Sequence, residues 1–180
     1  GLIGCGAQMT GLIRRMGGPE NFEVVSMCDP DPNRFAAVQK SAIGFYGKFD
    51  FSKTRCFADY REMYAKCGDE LDAVFVATPN HHHALPALMA VRRGINLFLE
   101  KPFALTMEEV CLLEREAKKT GVITQVGNYG HSTTAMKMCV DAVKKGLIGD
   151  VTEVYSYSDR CNSNDFRPQC GTLPKGMDWD

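Results

Sequence analysis

The chain has 180 residues, of which 44% are hydrophobic, and its 21 basic and 22 acidic residues leave a net charge of −1. Such a chain can bury the core of one large domain, or of one domain and part of a second. Its interspersed charges exclude a basic patch of the kind that binds nucleic acid, and no apolar run approaches the roughly 20 residues that span a bilayer.

The opening of the chain and its cysteines bear on the compartment. No charged-then-apolar export signal opens the chain. We expect a cytoplasmic location, or a periplasmic one if a missing N-terminus carries an export signal. The 8 cysteines include no Cys-x-x-Cys pair. This spacing favours reduced thiols, buried as small hydrophobic side chains, over a disulfide framework or a metal site.

Short apolar runs alternate along the chain with longer segments of helical periodicity. This alternation is typical of parallel βαβ units and predicts an α/β fold with a doubly wound parallel sheet. The predicted strands are 2–3, 22–27, 54–57, 73–77, 95–99 and 122–126.

Several residues mark the ends of the helices between these strands. Asp31-Pro32 predicts a helix start, and Asp59 and Thr106 each precede a glutamate at the spacing of a capping box. Pro86 requires the helix after Asn80 to begin close to it or to bend there. Glycines that favour a left-handed C-cap follow the helical segments at Gly68, Gly94 and Gly121.

The pattern changes in the last third of the chain. An amphipathic helix is predicted from Ser132 to Gly146, and the alternation over 151–157 predicts a strand. The tail after Asp159 is rich in Asn, Pro, Gly and Cys. We therefore expect one domain at 1–127 and the incomplete beginning of an α+β domain at 128–180.

Polar residues follow most of the predicted strands. In an open parallel sheet ligands bind outside the carboxyl ends of the strands, so we expect these residues to form one site. They are Gly4–Gln8, Asp29, Thr78–Asn80, Glu100–Pro102 and Gly127–Asn128.

The glycine turn has the form of a dinucleotide-binding turn. Gly4 permits the tight bend, and Gly6 lets the backbone approach a pyrophosphate at the helix start, beside Ala7 and Gln8. Met9 replaces the third glycine of G-x-G-x-x-G. A tight turn without a ligand therefore stays open as an alternative.

Asp29 follows Gly6 by 23 residues at a strand end. A carboxylate there can accept hydrogen bonds from the adenosine ribose and would repel a 2′-phosphate, which favours NAD over NADP. The nearby Arg34 keeps NADP open as a second cofactor. The alternative is that Asp29 is only a turn residue of Asp-Pro-Asp-Pro.

The run His81-His82-His83 is not spaced for a metal site, because neighbouring side chains point in different directions and no further ligand completes the set. We expect no metal. His83 can instead face the cofactor at the strand-to-helix turn, or the histidines can be solvated at the helix start.

Glu100-Lys101-Pro102 ends an apolar, and therefore central, strand. This position directs Lys101 toward the same cleft as Gly6 and Thr78, where its ammonium could orient a substrate hydroxyl or lose its proton if desolvated. A solvated pair with proline as a stop is the alternative. His131 either touches the substrate or begins the next helix.

With these residues in view, the chain resembles the Gfo/Idh/MocA family of NAD(P)-dependent oxidoreductases, the group of glucose–fructose oxidoreductase and inositol dehydrogenase. Two further stretches, 125–132 and 177–180, are similar to a bacterial branch that acts mostly on undetermined sugars or cyclitols. The motifs that carry the resemblance are Gly4-Cys5-Gly6, Cys28-Asp29-Pro30-Asp31, 77–83 and, above all, Glu100-Lys101-Pro102.

The resemblance implies a Rossmann domain followed by an α+β domain with a large mixed sheet, through which such proteins commonly form homo-oligomers. It implies that Lys101 is catalytic and lies near the nicotinamide and the substrate, and that the Lys101-Pro102 bond is often cis. It places Asn80 and His83 on the nicotinamide side. The other candidate cofactor-binding residues, which follow from their positions after the strands, are Thr78, Pro79, Glu100, Lys101 and Asn128.

The resembled family carries its usual acid–base residue in an Asp-x-x-x-His-like motif of the second domain, beyond Asp180. We therefore expect 1–180 to bind the cofactor better than it catalyses. The predicted function is an NAD(P)-dependent dehydrogenase acting on a secondary hydroxyl of a sugar, cyclitol or related polyol. The alternatives are an NAD-dependent glycoside hydrolase that uses transient oxidation, and a non-catalytic NAD-binding protein.

Overall fold

A computed structural model describes residues 1–157. Six of the seven predicted strands form and join in one parallel sheet of order β3-β2-β1-β4-β5-β6, which confirms the predicted Rossmann-type α/β fold. The strands are β1 Leu2–Ile3, β2 Ser26–Cys28, β3 Arg55–Phe57, β4 Ala73–Val76, β5 Asn96–Glu100 and β6 Thr124–Gly127.

Helices connect the strands and cover the sheet. Short 3-10 turns extend or precede some of them, at Ile13–Arg15, Gly68–Glu70, Asn80–His82 and Tyr129–Ser132. The α-helices are α1 Ala7–Leu12, α2 Asn33–Tyr46, α3 Tyr60–Cys67, α4 Ala84–Arg92, α5 Met107–Thr120 and α6 Thr134–Lys144.

The central strands of the sheet are covered on both faces, as is usual for parallel sheets. Leu2 belongs to one apolar cluster with Met9 and Val38, from α1 and α2. Its neighbour Ile3 belongs to the other cluster, with side chains from α3, α4 and α5 such as Leu113. Met9, at the position of the missing third glycine, is fully buried, so a long side chain fills the space between α1 and the sheet.

The capping signals were mostly correct. The Thr106 side chain accepts from the Glu109 backbone N–H and the Glu109 side chain accepts from the Thr106 N–H, which completes the predicted capping box of α5. Asp59 caps α3 by accepting from Arg61 N. Pro86 lies in the first turn of α4, where a missing N–H costs nothing. Gly68 does not act as predicted, because its φ of −52° continues the helix into a 3-10 turn.

Two strand predictions need correction. Residues 151–157 are not a strand, because an alternating pattern supplies a face but no hydrogen-bonding partner. Residues 22–25 are loop, although Val24 is buried and its carbonyl accepts from the Thr54 hydroxyl at 2.6 Å. The predicted run 22–27 therefore contributes side chains to the core, although only its end, from Ser26, is strand.

The cysteine prediction is correct for only part of the set. Cys5, Cys28 and Cys67 are free and buried. The thiols of Cys56, Cys111 and Cys139 are free but exposed, because their place on a strand or helix surface decides burial. The remaining two cysteines, Cys161 and Cys170, lie outside the described residues.

The chain divides into two compact units, one of which is Gly1–Gly127 and the other of which begins at Asn128. In the second unit α6 forms as predicted, with Thr133 as its N-cap, while apolar residues such as Val140 and Val143 are exposed. The assignment of these units to two functional domains stays a prediction. Over residues 1–157, the structure has no helix both long and apolar enough to span a bilayer.

Candidate functional site

The glycine turn and the loop after β4 touch at the centre of the sheet, where β1 lies between β2 and β4. Gly4 has a φ of +82°, and a Cβ built on it would lie 2.6 Å from the Thr78 nitrogen and 2.7 Å from the Ala77 carbonyl. Only glycine fits this contact. The chain order reverses here, and such reversals form ligand-binding crevices in open α/β sheets.

Gly6 has a different environment. Its φ of −73° suits any residue, and a Cβ built on it would meet nothing within 4 Å. Ala7 and Gln8 are exposed at the start of α1, where the first N–H groups of a helix have no intrahelical acceptor. This open space beside free N–H groups fits a diphosphate.

Asp29 connects the end of β2 to the glycine turn. Its Oδ2 accepts from the Cys5 N–H at 2.7 Å, and its Oδ1 accepts from the Asp31 N–H at 2.9 Å. A carboxylate has about four acceptor positions, so this half-buried group can still accept from ribose hydroxyls. The predicted ribose contact stays a prediction, and the structure adds a structural role for Asp29.

Arg34, the residue that kept NADP open, forms an ion pair with Asp31. The guanidinium Nε lies 3.1 Å from Asp31 Oδ2. Hydrogen bonds from the side chain and backbone of Asn33, assisted by Arg34, hold the pKa of Asp31 below its ordinary value. The Arg34 guanidinium is therefore already paired with the Asp31 carboxylate.

The loop after β4 contains the three histidines, which have separate environments. His81 is exposed, and His82 meets the Tyr60 ring edge-on at 5.4 Å between centroids. Burial, and after it the neighbouring His81 and Arg61, lower the pKa of His82. The sequence did not single out Tyr60, because it enters from α3. Within residues 1–157 no three His, Cys, Asp or Glu side chains are placed to hold a metal ion.

His83 is buried, with 1% of its surface exposed. Its Nδ1 lies 2.5 Å from the Pro102 carbonyl oxygen, and its Nε2 lies 2.9 Å from the Thr78 carbonyl oxygen. The ring therefore lies between the loops after β4 and β5. This geometry does not test the predicted contact between His83 and the cofactor, and both ring nitrogens already face carbonyl oxygens of the protein.

Glu100 and Lys101 have opposite environments. The Glu100 side chain is 4% exposed, whereas Lys101 is exposed, and the Lys101-Pro102 bond is cis. A Cβ built on Gly127 would lie 2.7 Å from Glu100 Oε1, so the carboxylate lies directly against the β6 backbone. Among the described residues neither side chain has an ion-pair partner. The burial of Glu100 does not fit the alternative of a solvated Glu100–Lys101 pair.

The remaining predicted residues fall in two places. Pro79 and Asn80 are exposed beside Thr78 in the loop after β4. Asn128 and His131 are exposed in the second unit, and their cofactor and substrate roles stay predictions.

Two cavities lie away from these residues. One of about 440 Å³ is lined by residues such as Phe22, Phe49 and Arg55, and the other, about 550 Å³, by Leu97, Leu113 and Val126 among others. Neither contains a predicted site residue. We assign the site to the carboxyl edge of the sheet because the glycine turn, Asp29 and the β5 loop converge there.

Residues 1–128 match the family model of Gfo/Idh/MocA, described as an oxidoreductase family with an NAD-binding Rossmann fold. This stretch contains the glycine turn, Asp29 and Lys101.

Curated relatives have names for three kinds of reaction. The chain is 26% identical over 167 residues to a 2,7-anhydro-N-acetylneuraminate hydratase of Mediterraneibacter gnavus, covering 93% of this chain and 40% of the relative. It is 31% identical over 155 residues to a 1,5-anhydro-D-fructose reductase of Ensifer adhaerens, covering 83% and 41%. It is 28% identical over 122 residues to a glycosyl hydrolase family 109 protein of Bacteroides fragilis, covering 67% and 25%.

A solved structure has the same fold. It is a scyllo-inositol dehydrogenase from Lactobacillus casei with bound NAD(H) and scyllo-inositol, and it matches with a TM-score of 0.67 and 19% identity over 84% of this chain and 42% of that chain. The chain spans about 40% of the length of the hydratase and the reductase. The match of its first 128 residues shows that the chain belongs to the Gfo/Idh/MocA oxidoreductase family and carries that family's NAD-binding Rossmann fold.

Proposed function

We propose that the protein is an NAD-dependent oxidoreductase that transfers hydride between the nicotinamide and a secondary hydroxyl of a sugar, cyclitol or related polyol. The observation that carries the proposal is the convergence at one sheet edge. There the glycine turn, the Asp29 carboxylate and the exposed Lys101 follow β1, β2 and β5. The reductase relative supports the same chemistry.

The cofactor is assigned along this edge. Gly6, Ala7 and Gln8 hold the diphosphate after the bend at Gly4. Asp29 accepts from the adenosine ribose, and bound NAD supplies the hydride acceptor. The residues assigned to the nicotinamide side are Thr78, Pro79, Asn80, Glu100, Lys101 and Asn128.

NAD is favoured over NADP by charge. A 2′-phosphate would approach the Asp29 carboxylate, and like charges repel at short range. The nearest arginine in the sequence, Arg34, is paired with Asp31 and would have to leave that carboxylate to bind a phosphate.

Lys101 is assigned to the substrate hydroxyl. Its side chain is exposed, and its ammonium has no carboxylate partner within residues 1–157. An ammonium can donate three hydrogen bonds and so can hold a hydroxyl oxygen in one orientation. His131 is proposed as a second substrate contact. A homo-oligomer and a cytoplasmic location stay predictions.

The test is a titration of the intact protein with NAD⁺, NADH, NADP⁺ and NADPH by calorimetry. It is followed by an assay of NADH formation with a panel of sugars and cyclitols. We expect affinity for NAD⁺ to exceed that for NADP⁺ about tenfold or more, since like charges about 4 Å apart near a protein surface repel by up to about 4 kcal/mol and about 1.4 kcal/mol is a factor of ten. The proposal fails if none of the four nucleotides binds.

A second function is favoured by the relative named as a glycosyl hydrolase. The same site would then oxidise a glycoside transiently and reduce it again, so that NAD is regenerated. Product analysis separates the two functions. Hydrolysis of a glycoside without accumulation of NADH would support the hydrolase, and stoichiometric NADH would support the dehydrogenase.

A further inference from the structure

His83 joins two loops that end neighbouring strands. The Pro102 carbonyl follows β5 and the Thr78 carbonyl follows β4, and the two ring nitrogens of His83 lie 2.5 Å and 2.9 Å from their oxygens. Because β4 and β5 pair in register from Ala73–Asn96 to Val76–Leu99, their loops leave the sheet side by side. The ring spans the space between them.

The chemistry of the contact is specific to histidine. Both carbonyl oxygens can only accept hydrogen bonds, and a buried carbonyl without a donor is costly. A neutral imidazole donates from one nitrogen, and an imidazole protonated on both nitrogens donates from two. No other side chain offers donors on two sides of a small rigid ring. A substitution that removes both ring nitrogens therefore removes every hydrogen bond between this side chain and the two carbonyls.

His83 is anchored by α4, a helix that packs against the sheet. His83 directly precedes α4, and the Ala87 N–H donates to the His83 carbonyl at 3.4 Å. Ala87, Ala90 and Val91 of α4 are fully buried against the sheet. The contact with His83 therefore connects the loop after β5 to the packed core.

We propose that His83 is a positioning residue for Lys101. It ties the carbonyl of Pro102, the residue after Lys101, to the loop after β4, and so fixes the backbone from which the lysine side chain extends. His83 acts through Lys101 and does not touch substrate. The effect on turnover rests on the function proposed above, whereas the tether itself does not.

The tether is tested first without cofactor, by hydrogen–deuterium exchange of the intact protein. His83→Phe keeps a ring of similar volume and removes both ring nitrogens. We expect faster exchange at the amides of residues 101 and 103–105, with the exchange of α4 and β5 unchanged. His81→Gln is the matched control, because His81 is an exposed histidine of the same turn, and it should exchange like the wild type. Unchanged exchange of residues 101–105 in His83→Phe would overturn the tether.

Kinetics then separate positioning from contact with the cofactor. His83→Phe should lower turnover about tenfold or more, the loss expected when a reacting group is slightly misplaced. The dissociation constant for NADH should stay within about threefold of the wild type. Equal losses of turnover and NADH affinity would instead indicate a direct contact with the cofactor and overturn the proposal.

A pair of polar variants covers the case in which His83→Phe does not fold. Asparagine can place its amide N–H near the position of Nδ1, which faces Pro102, whereas glutamine reaches the position of Nε2, which faces Thr78. The proposal predicts higher turnover for His83→Asn than for His83→Gln, and equal or reversed turnover contradicts it. If the wild type binds no NAD, the proposed function fails while the exchange experiment still decides the tether.

Discussion

The backbone N–H of Cys5 donates to the Asp29 carboxylate across 2.7 Å, so the acid that ends β2 holds the glycine turn that follows β1. The two residues are adjacent because the strands pair in parallel, with Ile3 opposite Cys28. Asp29 therefore has a structural partner before any ribose is bound. Substitution of Asp29 should therefore affect both the conformation of the glycine turn and the affinity for the cofactor.

Asp29→Asn should weaken NAD⁺ binding about tenfold, because an amide keeps the shape of the carboxylate but loses its charge and one acceptor oxygen. The preference for NAD⁺ over NADP⁺ should narrow, since the repulsion of a 2′-phosphate is removed. Titration with both nucleotides measures these changes. Asp50→Asn is the control, because Asp50 also accepts a backbone N–H, from Ser52 at 2.8 Å, but outside the site. Unchanged NAD⁺ affinity in Asp29→Asn would remove Asp29 from the cofactor site.

Gly4→Ala and Gly6→Ala should separate folding from binding. At Gly4 the new methyl group would overlap the Thr78 and Ala77 backbone at a φ of +82°, so we expect a loss of unfolding free energy of about 2 kcal/mol or more. At Gly6 the methyl group meets no protein atom within 4 Å, so stability should hold while NAD⁺ affinity falls. Urea unfolding and calorimetric titration measure the two effects. Full NAD⁺ affinity in Gly6→Ala would contradict the placement of the diphosphate.

Lys101→Ala should lower turnover about a hundredfold or more, the typical contribution of a group that positions or protonates the reacting atom. NADH affinity should change by less than about threefold, since the diphosphate and ribose contacts remain. Steady-state kinetics and NADH titration provide both numbers. Lys118→Ala is the control, because Lys118 forms only a surface ion pair with Glu114 at 2.6 Å. Equal losses of turnover and affinity in Lys101→Ala would make Lys101 a cofactor-binding residue only.

Gly127→Ala should destabilise the protein by about 1–3 kcal/mol, the range for an overpacked core. Its methyl group would lie 2.7 Å from Glu100 Oε1 and 3.0 Å from the Phe98 ring, and the buried carboxylate has little room to move. Gly44→Ala is the opposite case, because exposed Gly44 lies inside α2 with nothing within 4 Å, and alanine should stabilise that helix by about 0.5–1 kcal/mol. Urea unfolding of both variants measures whether the free energy of unfolding falls in Gly127→Ala and rises in Gly44→Ala. A neutral Gly127→Ala would show that Glu100 can move away.

Local patterns were sufficient for the elements of the Rossmann sheet. The six apolar runs became six strands, and the Thr106–Glu109 spacing became a capping box, because burial on both faces and capping chemistry act within a few residues. Predictions that needed a distant partner were weaker. Residues 151–157 alternate like a strand but form none, since a strand exists only beside another strand.

The site divides in the same way. The sequence predicted which residues end the strands, and parallel strands bring those ends to one edge. It did not predict the environment of each side chain there. His83 proved to lie between two carbonyls, and Glu100 proved to be buried against Gly127 while Lys101 faces outward. These contacts join residues from different strands.

By itself, the sequence determined the α/β class, the glycine turn, the acid that follows β2 and the lysine that follows β5, because periodicity and residue type decide these locally. The tertiary structure alone decided that Asp29 holds the Cys5 amide and that His83 links the loops after β4 and β5. The physical reason is that a hydrogen bond between strands far apart in the chain depends on sheet order and register, which no local pattern specifies.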